Sequence, residues 1–445
     1  MSKARKALIL IIPALLLISF AAYAFFSPRA GLPTVIGAAV YLILFALAAI
    51  ACIKGFLNFF TAPDELPPSA SLGERSIKRL HPIGKIILYS FIAQLVFIIA
   101  VYALNNLING FRGTIFDWYG NAFVSGIAGS ATDALNASEK FAVIPFLPYF
   151  ISFISELIGI DQTLPAFILN TFAVMALCVV LYELMLLDFD KKTSSFAVVL
   201  LLISPAAVYM MMPLSGNALF LLLVLLVFLE YRKGRPFISG LLAMLAAMVN
   251  IFGFLLFIPL IIGGIRNCIL AKQIKSEDEK DKKDKKINAV SKMLLSFIPL
   301  LALLAFVLTL HFSSAGATQP FKQLYPQGFR FFFEAFNEPA AGIANREFTF
   351  SVLYQILPLL FLGILFCVCL NEIRSSYAVC CLLLLAFAPT VFGTDMFPYT
   401  SALFPVLPVL LSAKLKTKKT RIIGGFIVFA LQILFISTVF LAGRI

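Results

Sequence analysis

The chain has 445 residues, 61% of them hydrophobic and only 13% charged, with a formal net charge of +13. Soluble domains carry about 25% charged residues, so a fold surrounded by water is excluded. A β-barrel, whose strands alternate inward and outward residues, is excluded as well. The basic residues fall in short stretches between long apolar runs, which is the positive-inside pattern of an all-α polytopic membrane protein and not a nucleic-acid footprint. Cys367, Cys369, Cys380 and Cys381 lie in or beside apolar runs, and with two histidines in the chain they read as buried thiols with no metal site.

Met1 to Lys6 is basic and Ala7 to Phe26 apolar, which reads as an uncleaved anchor. The alternative is a signal peptide cut at the Ala22-Tyr23-Ala24 triplet, and either places the following residues outside the cytosol. Thr34 to Cys52 returns, giving an N-terminal transmembrane hairpin over 1–60. Residues 61–85, with Pro67-Pro68 and the basic Arg75, Lys78 and Arg79, form a cytosolic loop. Ile86 to Leu104 crosses outward and opens an extracytoplasmic loop over 105–163.

Within that loop, Ile144 to Ile160 carries Pro145, Pro148 and Glu156, which make a poor spanning helix. It is expected as a juxtamembrane or re-entrant helix at the outer surface. Leu164 to Leu187 then comes inward to Lys191-Lys192, and Phe196 to Met212 goes out to a turn at Pro213 to Asn217. Ala218 to Leu229 returns to Arg232, Lys233 and Arg235. Phe237 to Val249 and Ile251 to Ile265 form a hairpin with its tip near Asn250, closing a core over 86–266.

Residues 267–291 are a mixed Lys/Glu/Asp run, a solvated cytosolic linker. A C-terminal transmembrane region occupies 292–445, with a second extracytoplasmic loop over 313–350. Its spans are Met293 to Leu310, Val352 to Leu370, Tyr377 to Phe392, Leu403 to Ser412 and Ile422 to Leu441. The expected total is about thirteen crossings.

The longest polar interruption that also contains aromatics runs from Phe111 to Asn121, continues over Phe141 to Tyr149, and holds the only tryptophan, Trp118, directly after Asp117. An ionised aspartate outside the membrane can act as a general base, and Trp118 and Tyr119 offer flat faces on which sugar rings stack. By itself Asp117 reads more readily as a helix N-cap or a solvated loop acid than as a base. Arg112 in the same loop, and Lys322, Arg330 and Arg346 in the second, can bind a phosphate. The aromatic and basic stretch around Lys322 and Arg330 also reads as an interfacial belt facing membrane lipid. Asp133 and Glu139 are further carboxylates through which a divalent cation could bind.

The order of these features resembles the PIG-V-like group of GT-C membrane glycosyltransferases, relatives of the second mannosyltransferase of GPI-anchor synthesis. The resemblance covers Phe111 to Arg266. It rests on Phe116-Asp117-Trp118-Tyr119, on Phe141 to Pro148, on Ser204-Pro205-Ala206-Ala207-Val208-Tyr209, on Leu214-Ser215-Gly216 with Phe220, and on Asn250-Ile251-Phe252-Gly253. Three positions depart from the family pattern: Phe116 replaces its tryptophan, Gly216 the glutamate of its Tyr-Ser-Glu, and Asn250 its arginine.

The resemblance implies a GT-C-like bundle that transfers a sugar, mannose by analogy, from a polyprenyl-phosphate-linked donor to an extracytoplasmic lipid or glycan acceptor. It makes Asp117 the catalytic base and Trp118, Tyr119, Arg112, Ser215 and Asn250 substrate-binding residues; Lys322 and Arg330, beyond the resembling stretch, are expected to bind substrate phosphate by their charge. The expected location is a multi-pass position in the plasma membrane of a prokaryote or the endoplasmic reticulum of a eukaryote. Two other classes remain open at this point. One is a non-catalytic GT-C-like subunit serving a partner subunit, given the lost glutamate and arginine. The other is a transporter or flippase of lipid-linked substrates, although the spans carry only uncharged polar groups such as Gln94, Asn170, Gln355 and Gln432 well inside.

Overall fold

The computed structural model describes residues 77–107, 163–187, 189–204, 216–249, 251–257, 290–305 and 415–442, with single positions and short runs between them. Every regular element among these residues is a helix, and no strand occurs among them. The helices are α1 (Ile77–Leu107), α2 (Thr163–Met185), α3 (Lys191–Leu202), α4 (Asn217–Arg232), α5 (Pro236–Val249), α6 (Val290–Ala305) and α7 (Lys418–Ala442). A 3-10 turn, Ile251–Leu256, follows α5. Two stretches, Pro82–Ile99 in α1 and Leu164–Met185 in α2, are long and apolar enough to cross a membrane.

The centre of the bundle is α4. Its sequence is apolar on every side, so it has no face to offer water and is surrounded by other helices. Phe220, Leu221, Val224, Val227 and Phe228 are all buried. Two left-handed glycines bracket it. Gly216 at the N-cap has φ 66°, and Gly234 beyond the C-cap has φ 75°. At the latter end the amides of Arg235 and Gly234 donate to the carbonyls of Glu230 and Tyr231, closing the helix with a Schellman motif.

Contacts near the helix ends set chain direction. Leu219, early in α4, packs with Ala166 and Leu169, early in α2, and with the buried Ile151. Helices α2 and α4 therefore begin at the same end and run parallel. The short turn at Lys233–Arg235 sends α5 back along α4, with the Ser239 hydroxyl donating to the Val227 carbonyl at 2.8 Å. Small residues let α6 approach α5 closely: a Cβ on Gly240 would lie 2.1 Å from the Ser296 carbonyl oxygen. Seven residues further on, Ala247 packs against Leu303, so α5 and α6 are parallel. Such small-residue contacts are how helices gain dispersion energy where lipid removes the hydrophobic drive.

The chain folds straight back after α5. A Cβ on Gly253 would lie 2.1 Å from the Ala247 nitrogen. The returning segment runs antiparallel to α6: the Phe257 and Phe297 ring centroids are 6.4 Å apart, and Gly264 abuts Met293.

Two elements differ from the hydropathy expectation. Helix α1 begins at Ile77, ahead of the apolar run that starts at Ile86, and carries Pro82 in its second turn. The expected span from Phe196 to Met212 is interrupted: α3 starts at Lys191 and stops at Leu202. Ile203 and Ser204 leave the helix, and helical backbone is found again at Ala207, Met210 and Met211. Pro205 accounts for the break, since it lacks an amide hydrogen and disfavours helical geometry in the residue before it.

Helix α1 lies at the bundle edge. Ile86, Ser90 and Gln94 form a narrow buried stripe at four-residue spacing, while Leu88, Tyr89, Phe91, Ile92, Leu95, Val96 and Ile99 are exposed. On α7, Ile422, Ile423, Phe426 and Ile427 are likewise exposed.

The packing predicts a contrast between two glycine-to-alanine changes. Gly84 has open space for a Cβ, so Gly84→Ala is expected to leave thermal stability unchanged or raise it by up to about 1 kcal/mol. Gly240→Ala is expected to lower it by about 1–3 kcal/mol, because the clash is with backbone that cannot rotate away. Thermal unfolding of the two purified variants checks this.

Candidate functional site

Arg112, Asp117, Trp118, Tyr119, Ser215, Asn250, Lys322 and Arg330 lie outside the described residues, as do Asp133, Glu139 and Arg346. Their described flanks are informative nonetheless. The Asp117 stretch joins the end of α1 to the start of α2. Ser215 directly precedes the α4 N-cap, and Asn250 stands between the last residue of α5 and the 3-10 turn. Since α2 and α4 start together and α5 runs back along α4, the start of α2, Gly216 and Val249 share one end of the bundle.

The backbone at Gly216 is one that favours glycine. With φ 66°, a side chain at this position strains against the following carbonyl. A glutamate here costs about 1–2 kcal/mol in this conformation.

A few residues inside the bundle, two side-chain amides meet the interrupted segment that leads to Ser215. Gln94 Nε2 in α1 donates to the Met211 carbonyl at 3.0 Å, and Asn170 Nδ2 in α2 donates to the Met210 carbonyl at 3.1 Å. Both side chains are buried. At the break itself the Ser204 hydroxyl donates to the Leu201 carbonyl at 2.8 Å. Buried carbonyls in apolar surroundings need donors, and these side chains donate to Met210, Met211 and Leu201. The amides are visible in the sequence as isolated polar residues within apolar runs, but nothing there reveals their acceptors.

The opposite end is ionic. Glu230, 9% exposed, is held by Lys233 Nζ at 3.0 Å and Arg235 Nη1 at 3.2 Å, all three within the α4–α5 turn. Where α2 turns into α3, the Thr193 hydroxyl donates to the Asp190 carboxylate. Arg421 of α7 donates from Nη2 to Thr193 Oγ1 at 2.8 Å and from Nε to the Leu415 carbonyl at 2.8 Å. Its guanidinium carbon lies 5.6 Å from the centroid of the Phe196 ring. The Asp190-x-x-Thr193 spacing is a legible N-terminal signature; the link to Arg421, 228 residues away, is not.

Among the described residues no group of three or more His, Cys, Asp or Glu side chains is placed to hold a metal ion. Comparison with protein-family models gives no match to the chain, and no curated protein is significantly similar to it.

The Asp190 carboxyl is held below its usual range, first by the Thr193 hydroxyl, with smaller support from the Thr193 and Lys192 amides and the Arg421 charge. A group with a lowered folded-state value stabilises fully above the unfolded value, 3.8, and loses that contribution as pH falls through the lower one. Thr193→Val is therefore expected to reduce stability at neutral pH and to flatten its dependence on pH below about 4. Thermal midpoints of wild type and variant, taken from pH 3 to 7, check this.

Proposed function

We propose that the chain is a multi-pass integral membrane glycosyltransferase of GT-C type, moving a sugar from a polyprenyl-phosphate carrier to an acceptor hydroxyl outside the cytosol. The observation that carries the reading is the Asp117-Trp118-Tyr119 stretch, an acid beside stacking rings in a long polar loop between two apolar helices. The ordered set of motifs from Phe111 to Arg266 supports the family assignment. The length and apolarity of α1 and α2, together with the exposed apolar faces of α1 and α7, support insertion in lipid. About thirteen crossings place both long polar loops on the outer side.

In the proposed reaction the Asp117 carboxylate takes the proton of the acceptor hydroxyl as that oxygen bonds to the anomeric carbon. The bond from the anomeric carbon to the phosphate oxygen breaks, and polyprenyl phosphate leaves with the electron pair. Arg112, Lys322 and Arg330 stabilise the charge gathering on the phosphate, and Trp118 and Tyr119 hold the sugar ring. Ser215 and Asn250 add hydrogen bonds to substrate. If a divalent cation takes part, Asp133 and Glu139 are its carboxylate ligands.

A second reading is favoured by one specific observation. Gly216 and Asn250 occupy positions where the resembling family carries a glutamate and an arginine, and the Gly216 backbone disfavours a side chain. A GT-C-like subunit without its own catalysis, supporting a partner subunit, fits those replacements.

Membranes containing the chain and labelled polyprenyl-phosphate sugars test the proposal. Wild type is expected to label a lipid or glycan acceptor, and Asp117→Ala to lower the rate at least about a hundredfold with unchanged expression and insertion. Full activity in purified Asp117→Ala overturns the base assignment. No labelled acceptor with wild type, under conditions where the chain is folded, favours the non-catalytic subunit.

A further inference from the structure

The two basic corners at the ionic end of the bundle are not alike. At the α4–α5 turn two of the cations, Lys233 and Arg235, are spent on Glu230. At the corner where α3 and α7 begin, the lysines are left over. Lys191 and Lys192 open α3, and Lys416, Lys418 and Lys419 lead into and open α7; all five are exposed. None has a carboxylate within ion-pair distance among the described residues. The hydrogen bond from Arg421 to Thr193 brings the two sets together, because it joins the first turn of α7 to the first turn of α3. Among the described residues of this corner the acid is Asp190, and it is turned to Thr193.

Fold stability does not ask for this arrangement. Lysines in the first turn of a helix sit at the positive end of its dipole, and neither α3 nor α7 has an acidic residue there to offset them. Positive charge is thus concentrated against local preference. One turn deeper along α7 the surface becomes apolar, with Ile422 at 64%, Ile423 at 50% and Phe426 at 73% exposure. Exposed lysines bordering an exposed apolar helix face match an amphiphile with an anionic head and hydrocarbon tails.

We propose that this corner binds the phosphate headgroup of an anionic membrane phospholipid, with Lys191, Lys192, Lys416, Lys418 and Lys419 around the phosphate and the acyl chains along Ile422, Ile423 and Phe426. The inference rests on the membrane reading above and is independent of glycosyl transfer. The bound headgroup bridges α3 and α7, adding to the contacts of Arg421 with Thr193 and Phe196.

The test uses the full-length chain, extracted from membranes and placed in phosphatidylcholine nanodiscs doped with phosphatidylglycerol. Lipid retained after stripping is then counted by native mass spectrometry. Wild type is expected to keep phosphatidylglycerol in preference to phosphatidylcholine. Lys418→Gln with Lys419→Gln is expected to lower that retention about thirtyfold, at roughly 1 kcal/mol for each lysine near an anionic surface. Lys191→Gln with Lys192→Gln, on the other helix, is expected to do the same, so misfolding of either variant leaves the second to decide. Lys85→Gln with Lys292→Gln makes an equal change in net charge on exposed lysines of α1 and α6, and is expected to leave retention within twofold.

No preference for phosphatidylglycerol, an equal loss in the Lys85/Lys292 variant, or displacement by millimolar inorganic phosphate overturns the proposal. Recovery of the chain in the soluble fraction overturns the membrane reading and this inference together. Membrane extraction without lipid preference overturns this inference alone.

Discussion

Apolar surroundings leave no solvent for a free carbonyl, and that constraint organises the described part of this chain. The segment that follows the break after Leu202 is helical again at Met210 and Met211. Gln94 and Asn170 give the carbonyls of Met211 and Met210 donors from two different helices. An unpaired buried carbonyl costs about 1–3 kcal/mol, so each amide stabilises this segment in its place by an amount of that order. By these bonds α1, which otherwise touches the bundle through a narrow stripe, is fixed against α2 and the interrupted segment. The segment in turn leads to Gly216 and the start of α4, the most enclosed helix.

The result is a bundle with two chemically distinct ends. One end gathers the start of α2, the N-cap of α4 and the tip after α5, and it is where the long Asp117 stretch returns to the helices. The other gathers ion pairs and lysines. Two packing modes connect them. Around α4 large aliphatic and aromatic side chains fill the space on every side. Between α5 and α6 the contact is made at Gly240 and Ala247, whose small size brings the backbones together. A chain relying on close backbone approach in this way is intolerant of small additions at specific glycines and tolerant elsewhere.

Much of the helical layout is legible in the sequence, because a run of apolar residues about twenty long has few alternatives to a helix. Helix limits are less so: hydropathy marks where residues become apolar, whereas α1 and α7 extend into their polar flanks at Ile77 and Lys418. The interruption after α3 had a visible cause in Ser204-Pro205, yet the hydrophobic run continues through it and hides it. The partners of Gln94, Asn170 and Arg421 are set by which helices lie side by side, and periodicity within one helix carries no information about its neighbours. Gly216 shows the complementary case. In the sequence it is one glycine beside a polar turn; its left-handed backbone supplies a conformational reason for glycine. The residues proposed for chemistry, Asp117 foremost, fall outside the described helices, so their roles rest on residue type, order and the position of their flanks.

The account stands on the two ends of the bundle facing opposite sides of a membrane, with the Asp117 loop outside and the lysine corner inside. Single cysteines at Ser138 and Lys192, introduced after removal of the seven native cysteines, measure this directly with an impermeant maleimide on intact cells or sealed vesicles. Ser138→Cys is predicted to label from the outer side without permeabilisation, and Lys192→Cys only after it. Labelling of both positions from the same side would contradict the account.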